Sequence, residues 1–291
     1  MSVVKLSKAN CEEFASEIRR LKSLSNNLEK FHMNISNNLS DKTRKRISEK
    51  ICERIHNELN EEFRITISML FNINVSKHPE FILEDYLRML PTSNLNNFNY
   101  MFWNYRQLKN LEGLNTWNVS EGTEFKYMFS ECKFLKNLEG LSCWNVANAR
   151  SFNNMFSKCK SLESLSALYD WDASNASDMC YMFSCCKSLE DISGLSNWNV
   201  SKCKYFYSMF NNCKSITNLS PLSHWDVSNG TNFNGIFSGC DLIRDISTLV
   251  NWTIPRKYNV KNMFTDFSGN LPKNISQSQI DWLNINIKRH P

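Results

Sequence analysis

Apolar positions in this chain recur at a fixed long step over most of its length. Trp117, Trp144, Trp171, Trp198, Trp225 and Trp252 follow one another every 27 residues. A Met-Phe pair keeps the same step at Met101-Phe102, Met128-Phe129, Met155-Phe156, Met182-Phe183, Met209-Phe210 and Met263-Phe264, with Ile236-Phe237 in the remaining register. Cys132, Cys159, Cys186, Cys213 and Cys240 form another column, and Leu or Ile fills the columns that begin at Leu108, Leu111 and Leu114. No insertion interrupts the series. Self-similarity at such a period marks a repeat architecture, in which a unit too small to bury its own apolar face stacks on its neighbours.

Within one unit the spacing predicts two short elements. Phe125, Met128, Phe129 and Cys132 lie at i, i+3, i+4 and i+7, which predicts a two-turn helix with one apolar stripe. The preceding Val119-Ser120-Glu121-Gly122-Thr123 supplies turn and cap residues. Leu135, Leu138 and Leu141 follow at steps of three, and Trp144 and Val146 alternate as a short strand does. The expected fold is an α+β solenoid, a leucine-rich-repeat-like array of short helix plus short strand units over residues 93–264. Parallel pairing of the Trp-x-Val segments would space successive coils roughly 5 Å apart. Each column then becomes a ladder, and the Cys column is explained as a small apolar residue packed inside the coil.

The motif W-N-V-S-x-x-x-x-F-x-x-M-F-x-x-C-K-x-L-x-x-L, from residue 98 to about 264, resembles the BspA-like branch of leucine-rich repeats. That branch is common in bacterial surface proteins and Mycoplasma-type lipoproteins. The resemblance implies a solenoid used for adhesion or protein binding, without catalysis.

Both flanks read differently. In residues 1–92, Phe14, Ile18, Leu21, Leu28, Phe31 and Ile35 share one helical face, and Ile47, Ile51, Ile55, Leu59, Phe63 and Ile67 keep a step of four. With a third helix near Pro79 to Leu90, they predict an all-α N-terminal domain that caps the first coil or offers a second contact. Toward the end the repeat decays, since Pro255 replaces the turn Ser and Phe267 the ladder Cys. Ile280, Leu283 and Ile287 predict a helical C-terminal cap within residues 265–291.

Composition narrows the function. Against 34 basic residues stand 29 acidic ones, and the net charge of +5 is too small to mark the whole chain as a nucleic-acid binder. No apolar run approaches the ~20 residues needed to span a bilayer. The opening MSVVKLSKANCEEF lacks the apolar core of a secretory signal, so a cytoplasmic location and no membrane partner are expected. The 11 cysteines are expected as reduced thiols. Their densest group, Cys180, Cys185, Cys186 and Cys203, lacks the paired C-x-x-C spacing of a zinc site.

Catalytic signals are missing from the sequence. His32, His56, His78, His224 and His290 are scattered, and there is no H-E-x-x-H, Walker loop, G-x-G-x-x-G or G-x-S-x-G. Asp172 and Asp226 share a column with Asn118, Asn145 and Asn199, where a ladder of side-chain hydrogen bonds is expected in place of acid-base work. The reading is of a non-enzyme with no catalytic, cofactor-binding or metal-ligating residues.

Binding candidates lie in columns the fold does not dictate. Arg106, Lys133, Lys160, Lys187 and Lys214 form a row of cations that Asp241 ends, with Glu163 and Glu190 nearby to offset it. Tyr100, Tyr127 and Tyr181 form a second column, joined by Tyr205 and Tyr207, read either as an interface or as packing between coils. A further basic cluster, Lys42, Arg44, Lys45 and Arg46, opens the second N-terminal helix. The expected function is a protein-protein interaction module acting through its solenoid surface as an intracellular inhibitor or effector that occludes a host enzyme. A phage- or mobile-element-encoded anti-defence protein, such as an anti-CRISPR acting on a nucleic-acid enzyme, is one form of it. A BspA-like surface adhesin is the alternative, and RNA or DNA binding through the basic and aromatic rows is the third reading. Oligomeric state stays open.

Overall fold

The computed structural model describes residues 90–106, 108–254, 260 and 262–265, together with Leu87, Arg88 and the isolated positions Ser16, Arg19, Arg20, Ser23 and Glu61. The sequence-predicted N-terminal helices, the basic cluster at Lys42 to Arg46 and the C-terminal cap lie outside these residues. What is described is a stack of 27-residue coils in which like residues lie above like.

Among the described residues, the expected α+β solenoid of short helix plus short strand units is overturned. The only helices whose bounds fall among the described residues are short 3-10 helices at Glu112–Leu114, Glu139–Leu141, Ser166–Leu168, Ser193–Leu195, Ser220–Leu222 and Ser247–Asn251. In place of strands there are isolated parallel bridges, Asn97 to Glu124, Glu124 to Ser151, Ser151 to Asp178, Asp178 to Tyr205 and Tyr205 to Asn232, with one more from Ser164 to Asp191. They do not fall at the Trp-x-Val segments.

Backbone torsions explain why the apolar stripe forms no helix. Tyr127 and Glu131, inside the Phe125 to Cys132 stripe, have φ of 57° and 66°, in the left-handed region that no right-handed helix contains. The N–H groups of Phe125, Tyr127, Phe129 and Glu131 donate to Ser151, Asn153, Met155 and Ser157 of the next coil at 2.8 to 3.0 Å. Those of Met128, Ser130 and Cys132 donate three residues back, to Phe125, Tyr127 and Phe129. Alternate amides thus close tight turns or tie coil to coil. Both left-handed positions recur: Tyr100, Tyr127, Asn154, Tyr181, Ser208 and Gly235 in one column, and Asn104, Glu131, Lys158, Cys185, Asn212 and Gly239 in the other. Asn and Gly bear this torsion at least cost, so Cys185→Asn, which copies Asn212, is expected to raise the thermal midpoint by a stability gain of about 0.5–1 kcal/mol. A lower midpoint would show that the thiol packs better than the torsion costs.

The core is a set of ladders. Phe102, Phe129, Phe156, Phe183, Phe210, Phe237 and Phe264 stack with ring centroids 5.2 to 5.7 Å apart. Trp117, Trp144, Trp171 and Trp198 stack at 6.3 Å. Each indole N–H also reaches the Leu carbonyl thirty residues back, as from Trp171 to Leu141 at 2.9 Å. Every ladder residue here is at most 4% exposed, so the stack holds together through rings and backbone bonds repeated in each coil.

The Cys column does more than fill space. The Cys132, Cys159, Cys186, Cys213 and Cys240 thiols each donate to the Phe carbonyl thirty residues back at 3.0 to 3.1 Å. Burial pushes the Cys132 and Cys240 thiols up to about 12 and those of Cys159, Cys186 and Cys213 well above 9.0. Gly140 and Gly194 mark close approaches between coils, since a Cβ there would lie 1.8 Å from the Leu111 and Leu165 carbonyl oxygens.

Candidate functional site

Several polar columns serve the turns. Asn118, Asn145, Asp172, Asn199 and Asp226 each accept the backbone N–H two residues on, at 2.9 to 3.1 Å. The expected inter-coil ladder at Asp172 and Asp226 is therefore a set of separate turns closed within each coil. Hydrogen bonds from Ser174 hold the Asp172 carboxyl below its ordinary range.

The cation row is uneven. Lys133 is half-buried and 3.9 Å from Glu131, whose carboxylate also takes Lys158 of the next coil at 2.7 Å. That hydrogen bond, with the attraction of the surrounding cations, holds Glu131 below the usual carboxylate range. Lys214 pairs with Asp241 at 3.3 Å, and the Arg106 Nε–H donates to Asn104 at 3.4 Å. Glu163 pairs with Lys136 at 4.0 Å, outside the row. Lys160 and Lys187 are exposed members that lack an ion pair or side-chain hydrogen bond among the described residues.

The tyrosine column turns inward on itself. The Tyr100 and Tyr127 rings stack at 4.9 Å and 6°, while Tyr181 meets Tyr207 edge-on at 4.8 Å and 87°. Burial and the hydrogen bond to Tyr207 hold the Tyr181 phenol well above its ordinary range. The Tyr100 and Tyr127 rings each cover one face of the other, whereas the edge-on Tyr181 and Tyr207 rings do not stack. Exposed aromatics are spread over several coils: Tyr100 and Trp103, 44% and 50% exposed with rings at 90°, in the first, and Phe134, Tyr169 and Tyr205 in later ones.

A groove on another side escaped the sequence reading. Glu121, Thr123, Asn148, Arg150, Asn175 and Ser177 line an open concavity of about 510 Å³. Its floor is ordered by side chains that reach one coil back: Asn148 and Asn175 donate their amides to the Ser120 and Ala147 carbonyls at 2.8 Å, and the Ser177 hydroxyl donates to Arg150 at 3.2 Å. Glu121 and Arg150 are both exposed and form no ion pair with each other or with another described residue. The signal was present in the alternation of Thr123, Arg150, Ser177, Lys204 and Thr231 along one column.

Among the described residues, no group of three or more His, Cys, Asp or Glu is placed to hold a metal ion. No described helix is long and apolar enough to cross a membrane. All nine described cysteines are unpaired, Cys143 exposed and Cys180 and Cys185 half-buried.

A stack of near-identical 27-residue coils with variable outer columns defines this molecule as a repeat protein. The chain belongs to the family described as "Mycoplasma protein of unknown function, DUF285", whose model matches residues 71–192 and 164–278. No curated protein and no solved structure matches it.

Proposed function

We propose that this chain is a non-enzymatic protein-binding scaffold that works through the side of its coil stack, as an inhibitor or effector covering a partner's surface. One contrast carries the reading. Columns that make the ladders repeat from coil to coil, whereas an exposed column such as Glu121, Asn148, Asn175, Lys202 and Asn229 varies. Residues the stack does not need are free to specify a partner, and a rigid extended side is what solenoids use for large binding surfaces. Five buried thiols act as donors only while reduced, which supports a cytoplasmic setting.

The W-N-V-S motif supports a place with BspA-like leucine-rich-repeat arrays, and under that relationship the same side would serve a surface adhesin. Either way the ligand is a protein. A tagged full-length chain, incubated with lysate and washed at low and high salt, is expected to retain a stoichiometric protein at high salt. Recovery of nucleic acid alone, lost as salt rises, would overturn the reading, because counterion release makes such binding fall steeply with salt. The Lys160→Glu/Lys187→Glu double variant is expected to weaken retention by about tenfold, as charge reversal does at an acidic partner surface. Unchanged retention would remove this row from the interface.

A further inference from the structure

The groove beside Arg150 is in strict register with the stack. The column Thr123, Arg150, Ser177, Lys204 and Thr231 is joined by backbone bonds from each N–H to the carbonyl of the same column in the coil before, at 2.8 to 3.0 Å. Along it, hydroxyl and cation alternate. Thr123, Ser177 and Thr231 donate their hydroxyls to that same preceding carbonyl at 3.1 to 3.3 Å, so these side chains lie flat against the stack. Arg150 and Lys204 are exposed and lack any ion pair among the described residues. Cations therefore rise from this wall once every two coils, about 10 Å apart at the ordinary inter-strand spacing.

A neighbouring column of the groove carries amides. Asn148, Asn175 and Asn229 spend their N–H₂ on the carbonyls of Ser120, Ala147 and Ser201. Their Oδ1 atoms are left as acceptors, that of Asn175 already taking the Lys202 ammonium at 2.7 Å. A ligand that matches these two columns needs an anion about every 10 Å along one and backbone donors along the other.

We infer that the groove, continued along the same column beyond its lining residues, receives an acidic segment of the partner in the polyproline II conformation, with carboxylates three residues apart meeting Arg150 in the groove and Lys204 two coils on. This inference rests on the protein-binding reading and names the kind of segment bound. Polyproline II has three residues per turn and rises ~3.1 Å per residue, so every third side chain returns to one edge after about 9 Å. That matches two coils. A β-strand fails the match, because side chains three apart point to opposite faces. Polyproline II also has no internal hydrogen bonds, so its amides are available to Asn148. Glu121 stands at the end of the groove before Arg150, and the residue of the segment that reaches it is neutral or basic.

The test uses the full chain and a fluorescein-labelled peptide of five Glu-Pro-Ala repeats, followed by anisotropy at low salt. A control peptide of the same composition carries its glutamates in adjacent pairs. Saturable binding of the first peptide is expected, several-fold tighter than of the second. The Arg150→Glu/Lys204→Glu variant should weaken it by about tenfold with an unchanged circular dichroism spectrum, since both side chains are exposed. Lys109→Glu/Lys136→Glu, exposed in a column that belongs to neither row, should leave it intact. Equal affinity for both peptides, an unaffected groove variant, or tighter binding of oligothymidylate than of either peptide would overturn the inference. A protein captured from lysate as well by the groove variant as by the unmodified chain would refute the groove while the scaffold reading stands.

Discussion

Trp171→Ala is expected to destabilise the stack by about 3–5 kcal/mol, the usual cost of removing a fully packed aromatic ring. Trp171 is 2% exposed and stacks on Trp144 and Trp198 at 6.3 Å and on Phe152 at 5.7 Å. Its indole N–H bond to Leu141 is lost as well, although that carbonyl keeps the Trp144 backbone N–H at 3.0 Å and is not orphaned. Ring burial is therefore the larger loss. Trp171→Phe, which keeps a ring and loses the bond, should cost less than half as much. Because each coil contacts only its neighbours, a weakened central coil should also let the two sides of the array unfold separately. Urea unfolding followed by tryptophan fluorescence reads both effects. A loss below about 1 kcal/mol would mean that the Trp column does not carry the core.

The second large effect is alkaline unfolding. A thiol is neutral when protonated, and burial raises the folded-state values of the five ladder thiols above the ordinary 9.0, to about 12 for Cys132 and Cys240. The thiol contribution to stability is thus fully present below pH 9 and is lost as pH climbs from 9 toward 12, because the unfolded chain releases protons that the folded chain retains. Each thiol adds a slope of about 1.4 kcal/mol per pH unit in that window. Five act together, so the urea midpoint should drop sharply between pH 9 and 10.5 (both about), well before the backbone hydrolyses. Cys159→Ala/Cys186→Ala, although less stable at neutral pH, should show a shallower decline. An equal slope in both chains would mean that these thiols are not the groups responsible.

Legibility differed by level. The 27-residue step, the identity of every ladder and the inward direction of the Trp, Phe, Leu and Cys columns could be read from the residues alone, because a repeated coil forces like onto like. Local conformation could not. Leu135, Leu138, Leu141 and Trp144 advance by three, and so do Val119, Gly122, Phe125 and Met128, all of them buried. Three is the period of tight i to i+3 turns. The extra apolar Phe129 beside Met128 imitates the stripe of an α-helix, and only φ at Tyr127 and Glu131 separates the two conformations. Nothing in a Tyr or a Glu announces a left-handed backbone, whereas Asn154, Asn212, Gly235 and Gly239 in the same columns carried the hint.

Binding residues followed the same division. The cation row was visible as a column, but its pairings depend on which carboxylates neighbouring coils bring near: Glu131 reaches Lys158 and Lys133, and Asp241 reaches Lys214. Whether stacked tyrosines show faces or edges likewise depends on rotamers set between coils. The groove at Arg150 needs two columns side by side, and their separation is a property of the coil's bend. By itself the sequence determined the repeat and the core of this protein, since periodic burial is encoded one residue at a time. Tertiary structure alone decided turn against helix, paired against free cation and wall against groove, since each of those is a relation between coils that local side-chain chemistry does not carry.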